Sequence, residues 1–339
     1  MVNTSVIILN WNGKKFLDEC LSSLKRQTYS DFETIVVDNG SMDGSVQYIK
    51  DTFQDFVRLI ENEKNHGFAM GNNIGISRAE GKYIVLLNND TRVDPDFLKS
   101  LVSTARKYPD VGMCASKVYL DQGEKIIDTA GHLIYKDGLN RGRGRLETDR
   151  GQYDKLEEVL FPSGCAALYK KEMLEEIGLL DEDFFAYGDD TDIGLKARLA
   201  GWRCLYVPEA VVYHKYSGST SAYSPFKAFL VERNRIWIAI KYFPLSMLLL
   251  NPYYAFIRYV FQAYGVFTHK GAAGLFAEEY SHGRLLSILV KAHFEAFRKF
   301  PGMWKKRKKI QKKIKVSRNE IYGWFDRFGI GVKELSLKA

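Results

Sequence analysis

The sequence predicts an α/β fold, in which a mostly parallel sheet is flanked by helices, followed by a helical C-terminal region. Three observations carry this prediction. Short apolar runs alternate with amphipathic segments, as in parallel sheets that helices cover on both faces. Clusters of polar residues follow several of the apolar runs. Beyond about Ser221 the composition changes, first to an aromatic-rich stretch and then to a basic one.

The alternation is clearest in the first 90 residues. Val6–Leu9 is a continuous apolar run that ends in the turn-forming residues Asn10–Gly13, which is typical of a buried strand. Ligands of such sheets bind beyond the carboxyl ends of the strands, where Asn10–Gly13, Asp38–Asp43 and Asn88–Asp90 stand, so these clusters predict a binding cleft. The predicted strands are 6–9, 32–37, 57–61 and 83–87, and the predicted helices are 16–24, 46–53 and 72–79.

The middle of the chain is less regular. Residues 118–150 hold several glycines and three interleaved arginines, which favours a strand pair with a mobile loop. Farther on, Phe161–Tyr169 predicts a strand and Ile193–Gly201 a helix. Trp202–Val212 predicts a last strand, shortly before His214.

Length and charge limit the classes of function. The 339 residues allow one large domain or two of ordinary size, and we predict a division into 1–222 and 223–339. The formal charge is +8, but Pro301–Ala339 holds 12 basic and three acidic residues, which leaves the remainder at −1. The main body therefore lacks the charge of a nucleic-acid binder, and no RNA-binding signature accompanies the tail. Four single cysteines and the absence of a leader predict a reducing compartment.

Two residues are candidate ligands of a divalent cation. Asp90 follows a buried strand, where a carboxylate could hold a hard cation against a diphosphate; the alternative is a strand-ending turn. His214 also follows a strand, and imidazole binds manganese-class metals, although a single histidine there is more often structural. Ser217 and Ser219 could contact phosphate beside it.

The segment Asp189–Asp192 places three carboxylates within four residues at a predicted helix start. Aspartate is a favoured helix cap and suits the positive end of the helix dipole, so a structural role is one interpretation. A single cap would suffice, however, and adjacent acids repel each other. The alternative is a general base, since the helix dipole keeps such a carboxylate ionised at neutral pH.

The C-terminal region combines an aromatic-rich stretch, 242–268, with the lysine-rich segment 305–315. Pro244, Pro252 and Arg258 interrupt the apolar run, which argues against a membrane-spanning helix. We therefore predict helices that lie in the membrane interface, with soluble helical packing as the alternative. Lysines next to such a stretch favour attraction to anionic lipid.

The order of these segments resembles that of the inverting family 2 glycosyltransferases, which have the GT-A nucleotide-sugar fold. The subgroup that it resembles most contains rhamnosyltransferases that act on lipid-linked sugars. The resemblance covers about residues 3–220 closely and the rest more loosely. It rests on residues 8–12, 37–41, 65–73, 88–90, 163–164, 189–190 and 214. It implies donor-binding roles for Asn10, Asn12, Asp38, Asn39, Gly67, Asn72, Asn88, Asn89 and Gly164.

The resemblance also implies a mechanism. Asp190 would be the general base beside Asp189, and Asp90 with His214 would hold Mg²⁺ or Mn²⁺ on the leaving diphosphate. Asn88 stands where the family's DxD motif has its first aspartate, which removes one charge from the metal site. Downstream, Arg233 and Arg235 could contact an acceptor pyrophosphate, or could be ordinary solvated or salt-bridged arginines.

The expected reaction moves a sugar from a dTDP-rhamnose-like or UDP-sugar donor to a lipid-linked saccharide. The Gln-x-x-Arg-Trp motif of processive polymerases is absent from the sequence, so we expect transfer of one or a few sugars. Two alternatives stay open: a polyprenyl-phosphate sugar synthase, and a membrane-bound scaffold that binds sugar nucleotides without turnover. The expected location is the cytoplasmic face of the cell membrane, with peripheral attachment and no nucleic-acid partner.

Overall fold

The computed structural model describes residues 2–123, 125–215 and 224–338. These residues form two compact units, and the predicted boundary after residue 222 lies outside them. A short segment, Leu133–Arg141, belongs to the second unit although the predicted division places it in the first domain. The first unit contains the described residues up to His132 and from Gly142 to Lys215, and the second contains Leu133–Arg141 and the described residues from Ser224 onward.

Twelve strands are assigned in the described residues, and ten of them form one sheet. In chain order they are β1 (Thr4–Asn10), β2 (Phe32–Asp38), β3 (Val57–Glu61), β4 (Tyr83–Asn88), β5 (Thr91–Val93), β6 (Val111–Leu120), β7 (Ile127–Thr129), β8 (His132–Ile134), β9 (Asn140–Gly142), β10 (Glu157–Val159), β11 (Ala166–Lys170) and β12 (Arg203–His214). Strands β8 and β9 form a separate pair.

The large sheet has the strand order β10-β12-β6-β11-β4-β1-β2-β3, while β5 pairs with β12 and β7 with β6. Strand β1 pairs in parallel with β2 and β4, β2 pairs in parallel with β3, and β6 does so with β12. Strand β11 is antiparallel to its neighbours β4 and β6. The predicted α/β class with a mostly parallel sheet is confirmed.

Helices cover both faces of this sheet. Val6 and Ile8 of β1 lie in one core cluster with Leu17, Ile49 and Leu101 from the helices, whereas Ile7 lies in a second cluster on the other face. Alternate side chains of a buried strand enter opposite cores, as the period of two requires. The helices of the first unit are α1 (Lys14–Lys25), α2 (Ser45–Phe53), α3 (Gly67–Arg78), α4 (Phe97–Lys107), α5 (Lys171–Ile177) and α6 (Asp189–Leu199).

Helix α3 begins at Gly67, whereas the sequence predicts a start at Asn72. Its early turns contain glycines, whose low helix propensity argues against a helix, and two of these glycines face the sheet. A Cβ added at Gly71 would lie 2.4 Å from Leu9 Cδ1, and one added at Gly75 would lie 2.5 Å from Ile7 Cγ2. Close packing on β1 therefore requires glycine here, and it overrides glycine's low helix propensity.

The second unit is mainly helical. Its helices are α7 (Pro225–Tyr242), α8 (Leu245–Thr268), α9 (Gly271–Glu279), α10 (His282–Arg298), α11 (Phe300–Gln311), α12 (Arg318–Arg327) and α13 (Val332–Leu337). The polar residues within 242–268 do not break α8, which runs on through Pro252. Among the described residues, no helix has the length and apolar character needed to cross a membrane.

The glycine contact between α3 and β1 gives a stability prediction. Gly75→Ala should lower the free energy of unfolding by roughly 1–3 kcal/mol, because the new methyl group has to displace Ile7 Cγ2 and Val37 Cγ2, 2.5 and 3.1 Å from the ideal Cβ position. Differential scanning calorimetry of both proteins measures the change.

The matched control is Gly323→Ala in the interior of α12, where an added Cβ meets nothing within 4 Å. This variant should be unchanged or up to about 1 kcal/mol more stable, since alanine has the higher helix propensity. If the two variants behave alike, close approach of α3 to β1 is not what selects glycine.

Candidate functional site

Asn10, Asp38 and Asn89 form a buried hydrogen-bonded cluster at the carboxyl ends of β1, β2 and β4. Asn10 Nδ2 donates to Asp38 Oδ2 at 2.8 Å, and Asn89 Nδ2 donates to Asn10 Oδ1 at 2.7 Å. The strand register causes this meeting, since Asn10 pairs with Asp38 and Leu9 pairs with Asn88. The polar turns that the sequence singles out therefore lie at one edge of the sheet.

The turns that follow β1 and β2 are joined into one rim. Asn12 has a left-handed φ of +50°, and its Oδ1 accepts from the Met42 N–H at 2.8 Å. The Asn12 N–H in turn donates to Ser41 Oγ at 2.8 Å. This rim fixes the backbone of both loops at the predicted donor-binding edge.

Asn39 connects the same edge to the start of α3. Its Nδ2 donates to Asn65 Oδ1 at 3.0 Å and to the Gly67 carbonyl oxygen at 3.2 Å. Asn72 is 2% exposed and donates to the Phe68 carbonyl oxygen at 2.9 Å, within the helix. The side-chain amides of Asn39 and Asn72 thus support the backbone of this segment.

Asp90, Asp128 and His214 meet from three distant segments. Strand β12 pairs with β5, which sets His214 opposite Thr91, next to Asp90. His214 Nε2 lies 3.4 Å from Asp90 Oδ1, and its Nδ1 lies 2.9 Å from Asp128 Oδ2. Burial alone would lower the pKa of His214, but hydrogen bonds to Asp128 and Asp90 outweigh it and raise the pKa to about 10.

The donor set suits a divalent cation that takes further ligands from a substrate. Asp90 offers a carboxylate oxygen, and His214 would offer Nε2 once a cation displaces the proton that its raised pKa retains at neutral pH. Asp128 orients the ring from the opposite nitrogen, as carboxylates do behind metal-bound histidines. Within the described ranges, no group of three or more such side chains is gathered as a complete metal site. Two protein donors fit a cation whose remaining ligands are diphosphate oxygens and water.

Asp189 and Asp190 open helix α6, and their surroundings differ. Asp189 is 5% exposed, and burial, with the neighbouring charge of Asp190, raises its pKa well above the usual range. The side chain of Asp190 is 17% exposed. Its Oδ1 accepts from the Thr191 N–H at 2.7 Å and its Oδ2 from the Gly164 N–H at 3.4 Å. Of the two side chains, that of Asp190 is the more exposed.

The backbone before α6 adopts an uncommon conformation. Phe185 and Tyr187 have φ values of +65° and +63°, a left-handed region that bulky residues rarely enter. The Phe185 carbonyl oxygen accepts from the Phe68 N–H at 2.5 Å, and a Cβ added at Gly67 would lie 2.6 Å from that oxygen. Gly67 therefore lets the start of α3 touch the loop that carries the carboxylates. Strained backbone of this kind is concentrated at functional sites.

His132 is a second histidine beside these carboxylates. It is 8% exposed, its ring stacks on Phe161 at 5.4 Å between centroids, and its Nε2 lies 4.0 Å from Asp190 Oδ2. Burial lowers the pKa of His132, although the charges of Asp190 and Asp128 act in the opposite direction. A neutral imidazole therefore lies close to the predicted base, beyond hydrogen-bond distance.

Sequence reasoning missed Asp128 and His132. Both lie in or next to short strands, in the run Asp128-Thr129-Ala130-Gly131-His132, where the sequence predicts only a strand pair with a loop. The sequence did offer one indication of a site here, because Asp128 and His132, one of six histidines, stand close together on either side of Gly131. Ser217 and Ser219 lie outside the described residues.

Arg233 and Arg235 belong to the second unit. Arg235 is 2% exposed, and its Nε donates to Glu232 Oε1 at 2.8 Å. The Arg233 guanidinium lies over the Trp237 ring, 4.2 Å from the ring centroid. For Arg235 the structure has the salt-bridged arrangement, which is the second of the two alternatives that the sequence allows.

The comparison with known families bears on the first unit. The sequence profile of Glycosyl transferase family 2 matches residues 5–178, about half of the chain. The chain belongs to Glycosyl transferase family 2. The matched range contains the turn clusters after β1, β2 and β4, together with Asp128, His132 and Gly164.

Several known proteins are similar to this family 2 chain. O-antigen biosynthesis protein RfbC of Myxococcus xanthus is 27% identical over 228 residues, 64% of this chain and 18% of that protein. The N-acetylglucosaminyl-diphospho-decaprenol L-rhamnosyltransferase of Mycobacterium tuberculosis is 24% identical over 237 residues, 63% of this chain and 76% of that enzyme. The chain thus spans less than a quarter of the longer curated relatives, RfbC among them.

A solved structure supports the GT-A fold of this family 2 chain. The mannosyltransferase PcManGT from Pyrobaculum calidifontis, in complex with GDP-Man and Mn²⁺, has a TM-score of 0.54 and 17% identity. The match covers 92% of this chain and 85% of that one. At this identity the likeness concerns the fold alone.

Asp128 should act on metal binding through His214. Asp128→Asn replaces the carboxylate on His214 Nδ1 and should weaken Mn²⁺ binding by roughly 10–100-fold, as loss of such second-layer carboxylates does. Electron paramagnetic resonance of Mn²⁺ titrated into the protein with nucleoside diphosphate measures the affinity directly.

Asp149→Asn is the matched control, because Asp149 is also an ion-paired aspartate of the first unit, with a side chain 6% exposed and Lys117 Nζ at 3.0 Å. It should leave Mn²⁺ affinity unchanged while costing stability. Equal losses in both variants would remove Asp128 from the cation site.

Proposed function

We propose that the chain is an inverting glycosyltransferase that moves one sugar from a nucleoside-diphosphate donor to a hydroxyl of a lipid-linked saccharide. The observation that carries the proposal is that the first unit holds two groups of carboxylates, both of which act electrostatically on His132. Asp190 stands partly exposed at the start of α6, bonded to the Gly164 N–H. Asp90, His214 and Asp128 form the second group, and His132 has both Asp190 and Asp128 among its electrostatic neighbours.

Asp190 is the general base in this proposal. It takes the proton of the acceptor hydroxyl as that oxygen attacks the anomeric carbon of the donor, and the nucleoside diphosphate leaves from the opposite side. Bonds from the Thr191 and Gly164 N–H groups hold the carboxylate in place. Asp189 is the less suitable base in this proposal, since burial and the charge of Asp190 raise its pKa well above the usual range and so disfavour its ionised form.

Asp90 and His214 would hold Mg²⁺ or Mn²⁺. When bound, such a cation neutralises the charge that develops on the leaving diphosphate. Asp128 keeps the His214 ring oriented through Nδ1, so that Nε2 faces Asp90. The turns at Asn10, Asn12, Asp38 and Asn39 would bind the nucleoside, at the edge where ligands of parallel sheets bind.

The donor and acceptor classes are taken from relatives. The similar enzyme of Mycobacterium tuberculosis is named as an L-rhamnosyltransferase that uses a lipid diphosphate-linked sugar. This supports a rhamnose-like donor sugar and a lipid-linked acceptor for this chain, and a dTDP or UDP carrier stays a prediction. We also propose peripheral attachment to the cytoplasmic face of the cell membrane, where such an acceptor would be met.

The acceptor assignment is tested against its nearest rival, a polyprenyl-phosphate sugar synthase. Labelled donor is presented with polyprenyl phosphate and, separately, with polyprenyl diphosphate-linked sugar. Transfer only to the second acceptor supports the proposal, and transfer to polyprenyl phosphate itself overturns it. Donor binding without transfer to either acceptor would favour a non-catalytic scaffold.

The base assignment gives the central mutational prediction. Asp190→Asn should retain donor binding and lose roughly 10²–10⁴-fold in kcat, because the amide cannot accept the hydroxyl proton. Donor binding is read from thermal shifts with UDP-, dTDP- and GDP-sugars and Mn²⁺, since a ligand that binds the folded state stabilises it.

Asp189→Asn is the control, because it makes the same carboxyl-to-amide change at the adjacent, more deeply buried residue. It should reduce kcat less than Asp190→Asn does. The roles are reversed if Asp190→Asn keeps wild-type kcat while Asp189→Asn abolishes transfer.

A further inference from the structure

Two helices of the second unit present large apolar side chains to the outside. In α8 and α10 these side chains are between 51% and 82% exposed. Monomeric soluble proteins rarely expose contiguous apolar patches of this size unless the patch binds something. We call the set the α8/α10 face: Leu245, Leu249, Leu250, Tyr253, Phe256, Val260, Tyr264 and Phe267 of α8, with Leu286, Val290, Phe294 and Phe297 of α10.

Helix α8 buries polar side chains and exposes apolar ones, which is the reverse of an ordinary amphipathic helix of a soluble protein. Its buried positions include Asn251 and Arg258, 8% and 1% exposed, whereas Leu249 and Phe267 are 82% and 81% exposed. Arg258 is matched inside the unit, since its Nε donates to Asp137 Oδ2 at 2.5 Å. A helix that turns its charge inward and its leucine and phenylalanine outward is suited to an apolar surrounding.

Helix α10 supplies a second stripe beside the first. Its exposed residues recur at helical spacing opposite the buried Ile288, Ala292 and Ala296. The two helices are neighbours, because Tyr259 Oη of α8 lies 3.3 Å from His293 Nε2 of α10. Both stripes belong to the second unit, and we treat them together as the α8/α10 face. The sequence predicts only the 242–268 part of it, since α10 carries charges between its apolar positions.

Basic residues border this face. Arg284 and Lys291 of α10 are exposed, and Phe300, whose ring stacks on Trp304, leads into the exposed lysines Lys305, Lys308 and Lys309 of α11. From His282 to Arg318 the sequence holds thirteen basic residues and one acidic residue. An anionic surface would complement this border, whereas a second copy of the chain would bring like charges together.

We propose that the α8/α10 face docks on an anionic lipid surface, with its aromatic and aliphatic side chains among the acyl chains and the border lysines at the headgroups. Each part is weak alone, but burial of apolar side chains and attraction to anionic lipid together give stable, reversible attachment. This inference names the surface behind the proposed membrane location, and it does not depend on the transfer chemistry at Asp190.

A site-specific fluorophore tests the face directly. All four native cysteines are buried, so Val290→Cys can be labelled selectively with an environment-sensitive dye. Leu156→Cys is the control, because Leu156 is exposed but lies outside the face. On vesicles of phosphatidylcholine with phosphatidylglycerol, the dye at position 290 should brighten and shift to the blue, and the dye at position 156 should not. Equal responses, or no response at position 290, overturn the proposal.

Flotation with vesicles measures how much the apolar side chains and the basic residues each contribute to vesicle binding. The double variant Leu286→Ser/Phe294→Ser should lose roughly tenfold or more in vesicle partitioning, since two large apolar side chains no longer enter the lipid, whereas Leu156→Ser should not. Replacing Lys305, Lys308 and Lys309 by glutamine should weaken partitioning and reduce its salt dependence.

Three results would overturn the proposal. The first is wild-type flotation of the double variant, and the second is equal binding to vesicles of phosphatidylcholine alone. The third is a concentration-dependent dye shift without vesicles, with a dimer in sedimentation, which would make a second copy the occupant. Donor turnover and binding are measured in parallel without vesicles, so failure of this inference and failure of the proposed transferase activity are distinguishable.

Discussion

The site depends on one constraint, the parallel register of β2, β1 and β4. Because Asn10 pairs with Asp38 and Leu9 with Asn88, the polar turns after three strands end at the same level. Hydrogen bonds from Asn10 to Asp38 and from Asn89 to Asn10 then need no long side chains. A shift of one residue would turn buried side chains to the opposite core and separate these turns, so the core packing and the site enforce the same register.

The second part of the site relies on strand β12. This strand carries His214 at its end and lies between β6 and β10, with β5 paired along its last residues. It places His214 between two buried carboxylates, with Asp90 at Nε2 and Asp128 at Nδ1. Buried carboxylates require a positive or hydrogen-bonding partner, and here the histidine and Arg145 supply it. The cluster thus stabilises the junction of three segments and presents oxygen and nitrogen donors at the same time.

Much of this arrangement is predictable from the sequence, for local reasons. The strand at Tyr83 begins where the apolar run Tyr83–Leu87 begins, because continuous apolar runs suit buried parallel strands. The roles of Asp128 and His132 depend on contacts over tens of residues, which no local pattern encodes. The early start of α3 at Gly67 was missed for a related reason, since its glycines are selected by the sheet beneath them rather than by helix propensity.

The second unit shows how a buried charge can follow from an outward apolar face. Burying Arg258 with Asp137 and Glu232 carries a desolvation penalty that aliphatic side chains at the same positions would avoid. Hydrophobic burial in water alone would favour the opposite arrangement, with Leu249 and Phe267 inside and the arginine outside. If the outer face meets lipid, the apolar side chains are satisfied there and the arginine has to point inward, because an unpaired guanidinium among acyl chains is costly. Helix α8 can then face lipid only because Asp137 and Glu232 pair with Arg258 inside the unit.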